Sequence, residues 1–95
     1  MEFSWDAAKA RRNLAKHGID FNAARDVFAD PQLLIAEDCE DEHGEMRYHA
    51  IGYAVPHLLL VVVFIDRSSG NRERVHIISA RKAVAYEESA YSDQF

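Results

Sequence analysis

The chain has 95 residues, close to half of them apolar, with a single cysteine and a formal charge of −5. That length supports one domain spanning residues 1–95, the apolar content excludes a disordered chain, and the lone Cys39 excludes an internal disulfide, in keeping with a reducing cytoplasm. The opening ten residues mix charged and apolar side chains, unlike a secretory signal, and the longest apolar run, Leu58–Ile65, is too short to span a bilayer.

The acidic balance argues against a nucleic-acid binder until its distribution is read. Residues 1–36 are neutral, residues 37–46 carry −6, residues 47–82 carry +4, and the tail carries −3. An acidic stretch and an acidic tail mask a basic body.

In chain order, Glu2–Trp5 reads as a short strand or extended lead-in. Ser4 or Asp6 caps a first helix running to about His17, and Gly18 supplies its left-handed stop. Lys9, Arg12 and Lys16 share its polar face. Asp20 caps a second helix with Phe21, Ala24, Val27 and Phe28 at helical spacing, ended by Asp30-Pro31. Leu33–Ala36, Met46–Ala54, Leu58–Ile65 and Arg72–Ser79 read as strands, separated by turns at Asp41–Gly44, Val55–His57 and Ser68–Asn71 whose shortness favours antiparallel hairpins. A last helix is expected from Ser79 or Ala80, carrying Ala83, Tyr86, Glu87 and Ala90. The order gives an α+β domain: an antiparallel sheet, two N-terminal helices and one C-terminal helix, with the helices on one sheet face.

Two strands repeat Arg-x-His, as Arg47 with His49 and Arg74 with His76, so each pair shares a strand face. Whether the two faces coincide depends on register. Lys16 and His17 close the first helix, where cations suit the helix dipole or where they could overhang a bound phosphate. Arg81 follows Ile77–Ala80 and is expected at a strand-to-helix junction, a place that favours anions; the plain alternative for it is a salt bridge to Glu87 or Glu88. Cys39, His43 and His49 match no zinc spacing, so no metal site and no cofactor is expected. Trp5 and Tyr48 are candidates for base stacking, Trp5 being the better core anchor.

Taken together, Trp5-Asp6, Lys9, Asn13, Lys16-His17-Gly18, Phe21, Ala24, Val27-Phe28, Asp30-Pro31, Glu45, Arg47, Ile51-Gly52, Leu60–Val63 and Ile77–Arg81 resemble the BrnT toxins, in the same order over nearly the whole chain. The resemblance implies a RelE/ParE-like fold, ribonuclease activity that suppresses translation and growth, and a hetero-oligomer with a ribbon-helix-helix antitoxin of the BrnA kind, through which alone the toxin meets DNA. By position it makes Lys16, His17, Arg47 and Arg81 active-site members. His76 departs from the family, where many relatives carry a basic residue, usually arginine.

RNA carries its own nucleophile, the 2′-hydroxyl, so a metal-free endoribonuclease needs proton transfer and charge stabilisation. Histidine suits the first and arginine the second. The expected catalytic set is Lys16, His17, Arg47, His49, His76 and Arg81, with Lys9, Arg12, Arg74 and Lys82 binding RNA. A non-catalytic module that docks a partner, with the acidic stretch 37–42 meeting a basic antitoxin segment, and a gyrase-poisoning toxin of the same fold are the rival readings.

Overall fold

A computed structural model describes residues 1–40, 43–54 and 57–95; parts of the turns expected at 41–44 and 55–57 lie outside them. The elements are β1 (Glu2–Ser4), α1 (Ala7–His17), α2 (Phe21–Asp26), β2 (Leu34–Glu40), β3 (Met46–Ala54), β4 (Leu58–Asp66), β5 (Arg74–Lys82) and α3 (Ala85–Ser92), with a 3₁₀ turn at Val27–Ala29 after α2. Asp6 caps α1 by accepting from the Lys9 amide at 3.0 Å, and Gly18 ends it at φ 70°, a left-handed conformation that costs glycine nothing. Asp20 caps α2 through the Asn22 amide.

The strands form one sheet in the order β1-β5-β4-β3-β2. The meander β2–β5 is antiparallel, as its short links require, but β1 runs parallel to β5, from which it is separated by both N-terminal helices and three strands rather than by a hairpin.

Alternation along the strands builds two unequal faces. Ala50, Ala54, Leu60, Val62, Phe64, Val75, Ile77 and Ala80 meet Ile19, Phe21, Ala24 and Val27 in the main core, beneath α1, α2 and the 3₁₀ turn. Ile51 and Val61 point the other way and are covered by Tyr91 of α3. The expectation that all helices share one face is therefore corrected: α3 packs on the second face, because the Ile51/Val61 stripe there also needs cover.

The last helix also starts later than expected. β5 continues to Lys82 and pairs with β4 as far as Leu60↔Lys82. Its outer edge at Ala80 is taken up by Asn13 of α1, whose carboxamide oxygen accepts from Ala80 N–H at 3.1 Å and whose nitrogen donates to Ala80 C=O at 2.9 Å. Ladder bonds and this side-chain cap outweigh the local helix signal, so Arg81 and Lys82 are strand residues and α3 waits until Ala85.

Candidate active site

Among the described residues no helix covers the second face beyond the reach of α3, and register decides what stands there. Arg47 pairs with Ile65 and Ile65 with His76, so one cross-strand row reads Arg47–Ile65–His76. Its ends lie two strand spacings apart, roughly 10 Å between Cα atoms. A β-bulge flanks the row on each side. On β2 the register slips between Glu37 and Glu40, opposite Arg47; on β5 it slips at Ile78, next to His76. Bulges bend a strand and re-aim its side chains, and here they frame a depression.

That depression is an open groove of about 400 Å³ lined by Lys9, Cys39, His43, Glu45, Arg47, Ile65, Arg67, His76 and Ile78. Arg47 places its Nε out of solvent with no hydrogen-bond partner among the described residues, an arrangement that calls for compensation. Arg67 Nη2 lies 3.6 Å from Glu45 Oε1 on the groove wall. His76 is held by β1: Ser4 and His76 are register partners, and Ser4 Oγ lies 2.8 Å from His76 Nδ1. Burial pushes the His76 imidazole below its ordinary value of 6.5, and the charges of Arg67 and Lys9 push the same way, against Glu45 and Asp6. His76 is therefore a neutral imidazole at neutral pH in a cationic setting. Such a site can attract a phosphodiester and accept a proton from a group beside it.

The structure thus brings Arg47 and His76 together and adds Lys9, expected only as an RNA contact. Arg67 belongs to the groove and was missed; nothing but its place in the basic middle segment marked it. Lys16 and His17 line a neighbouring groove with Lys9, Arg12, Asn13, Ile78 and Ser79. His49 is on the same sheet face but one row away, its Nε2 3.6 Å from Asp38. Arg74 and Arg72 both turn to Glu2, at 3.7 and 2.7 Å. Lys82 is exposed beside Leu58, Leu59 and Glu88 at the opposite end of the sheet.

Arg81 stands apart from the groove. Its row is Ile51–Val61–Arg81, four residues along β4 from Ile65 and so roughly 13 Å away. Both guanidinium Nη atoms donate to the Glu87 carboxylate at 2.7 Å, and the Glu87 side chain is 7% exposed. Of the two readings of Arg81, the salt bridge to Glu87 is the one realised. The expected helix N-terminus beside it is absent, because the strand runs on.

Among the described residues no three potential metal ligands gather, and no helix is long and apolar enough to cross a membrane. Trp5 meets Phe21 edge-on at 5.9 Å and Tyr48 stacks on Phe64 at 5.5 Å, so both rings face the main core rather than the groove.

Residues 5–87 match the family described as the ribonuclease toxin BrnT of type II toxin-antitoxin systems. The crystal structure of the ribonuclease toxin BrnT from Brucella abortus superimposes with a TM-score of 0.66 at 28% identity, over 90% of this chain and 99% of that one. No curated protein sequence matches. Motif order, sheet architecture and family match therefore agree: the chain belongs to the BrnT ribonuclease toxins of type II toxin-antitoxin systems, and its counterpart is a cognate antitoxin.

Proposed function

We propose that the Arg47–His76 groove is where this toxin cuts RNA, by a metal-free transesterification. The observation that carries the reading is the row itself: a buried arginine Nε without a partner and a neutral, tethered histidine on either side of Ile65, in one groove with Lys9 and Arg67. Ser4 accepts the Nδ1 proton of His76, leaving the Nε2 lone pair to take the proton of the 2′-hydroxyl. The 2′-oxygen then bonds to phosphorus, the bond to the 5′-oxygen breaks, and Lys9 protonates that oxygen. The products are a 2′,3′-cyclic phosphate and a 5′-hydroxyl. Arg47 and Arg67 stabilise the charge that builds on the phosphorane oxygens, since guanidinium groups stay protonated and bind two oxygens at once. His49 remains with Asp38, and Arg81 holds α3.

The substrate is cytoplasmic RNA, and its loss stops translation and growth. The antitoxin is of the ribbon-helix-helix kind, and the pair rather than the toxin binds DNA. Residues 1–95 act as one toxin unit.

The test is incubation of the purified chain with single-stranded RNA in the presence of a chelator. Cleavage that persists, and that is lost in Arg47→Ala and His76→Ala, is the expected result. Cleavage that vanishes with the chelator, or survives both substitutions, overturns the mechanism. Growth arrest without any RNA cleavage would favour a gyrase poison, and neither effect would favour a docking module.

A further inference from the structure

We infer that α1 is a phosphate track: Lys9, Arg12, Lys16 and His17 hold the RNA backbone on one side of the reaction groove. The inference rests on the proposed reading of that groove and adds the path of the strand.

Three observations carry it. First, α1 has the sequence Ala-Ala-Lys-Ala-Arg-Arg-Asn-Leu-Ala-Lys-His and no acidic residue. Lys9 to Arg12 and Arg12 to Lys16 are like-charge pairs at i,i+3 and i,i+4, spacings that destabilise a helix. The dipole rationalises Lys16 and His17 in the last turn but opposes Lys9 in the first, where acids are favoured. Helix stability therefore does not account for Lys9 and Arg12, whereas an anionic ligand does.

Second, the charges are available. Arg67, Arg72, Arg74 and Arg81 each lie within 4 Å of a carboxylate, whereas Lys9, Arg12 and Lys16 have none that close among the described residues. Asp6, whose carboxyl feels Lys9 and Arg12, is committed to capping the Lys9 amide.

Third, the track is continuous with the reaction groove. The α1 groove, about 320 Å³, shares Lys9 and Ile78 with it, and the β5 bulge at Ile78 is the step between them. From Lys9 to His17 the helix rises about 12 Å. That length exceeds one internucleotide step, so His17 meets a different phosphate from the one beside His76.

The test is binding of a 2′-O-methyl RNA of about 12 nucleotides, which cannot be cleaved, across a salt series. R12Q/K16Q is compared with R11Q/R25Q, which removes equal charge from residues that do not line the α1 groove, after circular dichroism confirms that both fold. Loss of two phosphate contacts is expected to lower the log–log salt slope by about 1.4 in R12Q/K16Q, and to change it little in the control. An unchanged slope, or an equal fall in both variants, overturns the track. Cleavage by the unaltered protein, measured in parallel, reports on the groove itself, so the two ideas fail separately.

Discussion

Ser4 and His76 meet across the parallel β1–β5 pair, hydroxyl Oγ 2.8 Å from imidazole Nδ1. This contact joins the first strand of the chain to the last and orients the one histidine that lines the groove from β5. The partnership is open to both protonation states, because a hydroxyl can accept from Nδ1–H or donate to a bare Nδ1.

It leads to a pH prediction. Burial, then Arg67 and Lys9, depress the His76 value below 6.5. As a base, His76 is active when neutral, so kcat/KM rises with pH through that depressed value. Arg67→Gln removes a charge that disfavours the imidazolium, and the acid limb of the pH–rate profile moves to higher pH. Ser4→Ala lowers kcat with KM unchanged, and Ser4→Thr restores it. His76→Ala costs about 10²–10⁴-fold.

Arg47→Ala is expected to lower kcat by about 10²–10³-fold, the range for removing one donor that stabilises a developing oxyanion. Arg47→Lys recovers little, because an ammonium lacks the planar fork. Single-turnover cleavage separates this loss from weakened RNA binding.

Glu87→Gln is expected to destabilise the fold by about 2 kcal/mol, from the charged hydrogen bonds to Arg81 and the contact with Val84 N–H. The Arg81 guanidinium, with burial opposing it, holds the Glu87 carboxyl below its ordinary 4.5. Glu87 therefore binds its proton less readily folded than unfolded. The stability it contributes is complete above pH 4.5 and falls away as pH drops through the depressed value. Urea unfolding at neutral pH and across the acid range checks both statements, and Arg81→Gln should lose stability in the same way.

Asn13→Ala is expected to cost about 3 kcal/mol, by stranding the Ala80 N–H and C=O and the Ile19 carbonyl that accepts from the Asn13 amide at 3.0 Å. Asn13→Asp should cost nearly as much, since it loses both donations. Denaturant midpoints report the loss, and hydrogen exchange at Ala80 localises it.

Tyr91→Phe tests how α3 is anchored. Its hydroxyl donates to Asp30 Oδ2 at 2.7 Å, and the same oxygen accepts from Tyr53 N–H at 2.9 Å, beyond the end of the β2–β3 pairing. Burial, then Asp30, raises the Tyr91 value to about 12. Loss of about 2 kcal/mol is expected, with spectroscopic titration showing one tyrosine fewer that ionises late. Gly52→Ala next to it should also destabilise, because an added Cβ would lie 2.9 Å from Val27 Cγ1.

The α+β class, the two capped helices and the β3–β4 meander were legible because their signals are local. Asp6, Asp20 and Gly18 act on neighbours in sequence, and the apolar run of β4 declares burial on both faces. The start of α3 was not legible. What prolongs β5 is the partnership of Ala80 with Asn13, sixty-seven residues earlier in the chain.

The sequence by itself determined which residue types the site could use, and that its arginines and histidines would alternate onto a strand face. Only the tertiary structure decided which of them meet. Side chains on neighbouring strands share a row through register, and register depends on bulges and long-range pairing that no single segment encodes. Hence Arg47 and His76 stand in one row, Arg67 joins them, and Arg81 is turned to Glu87 beneath a helix on that same face.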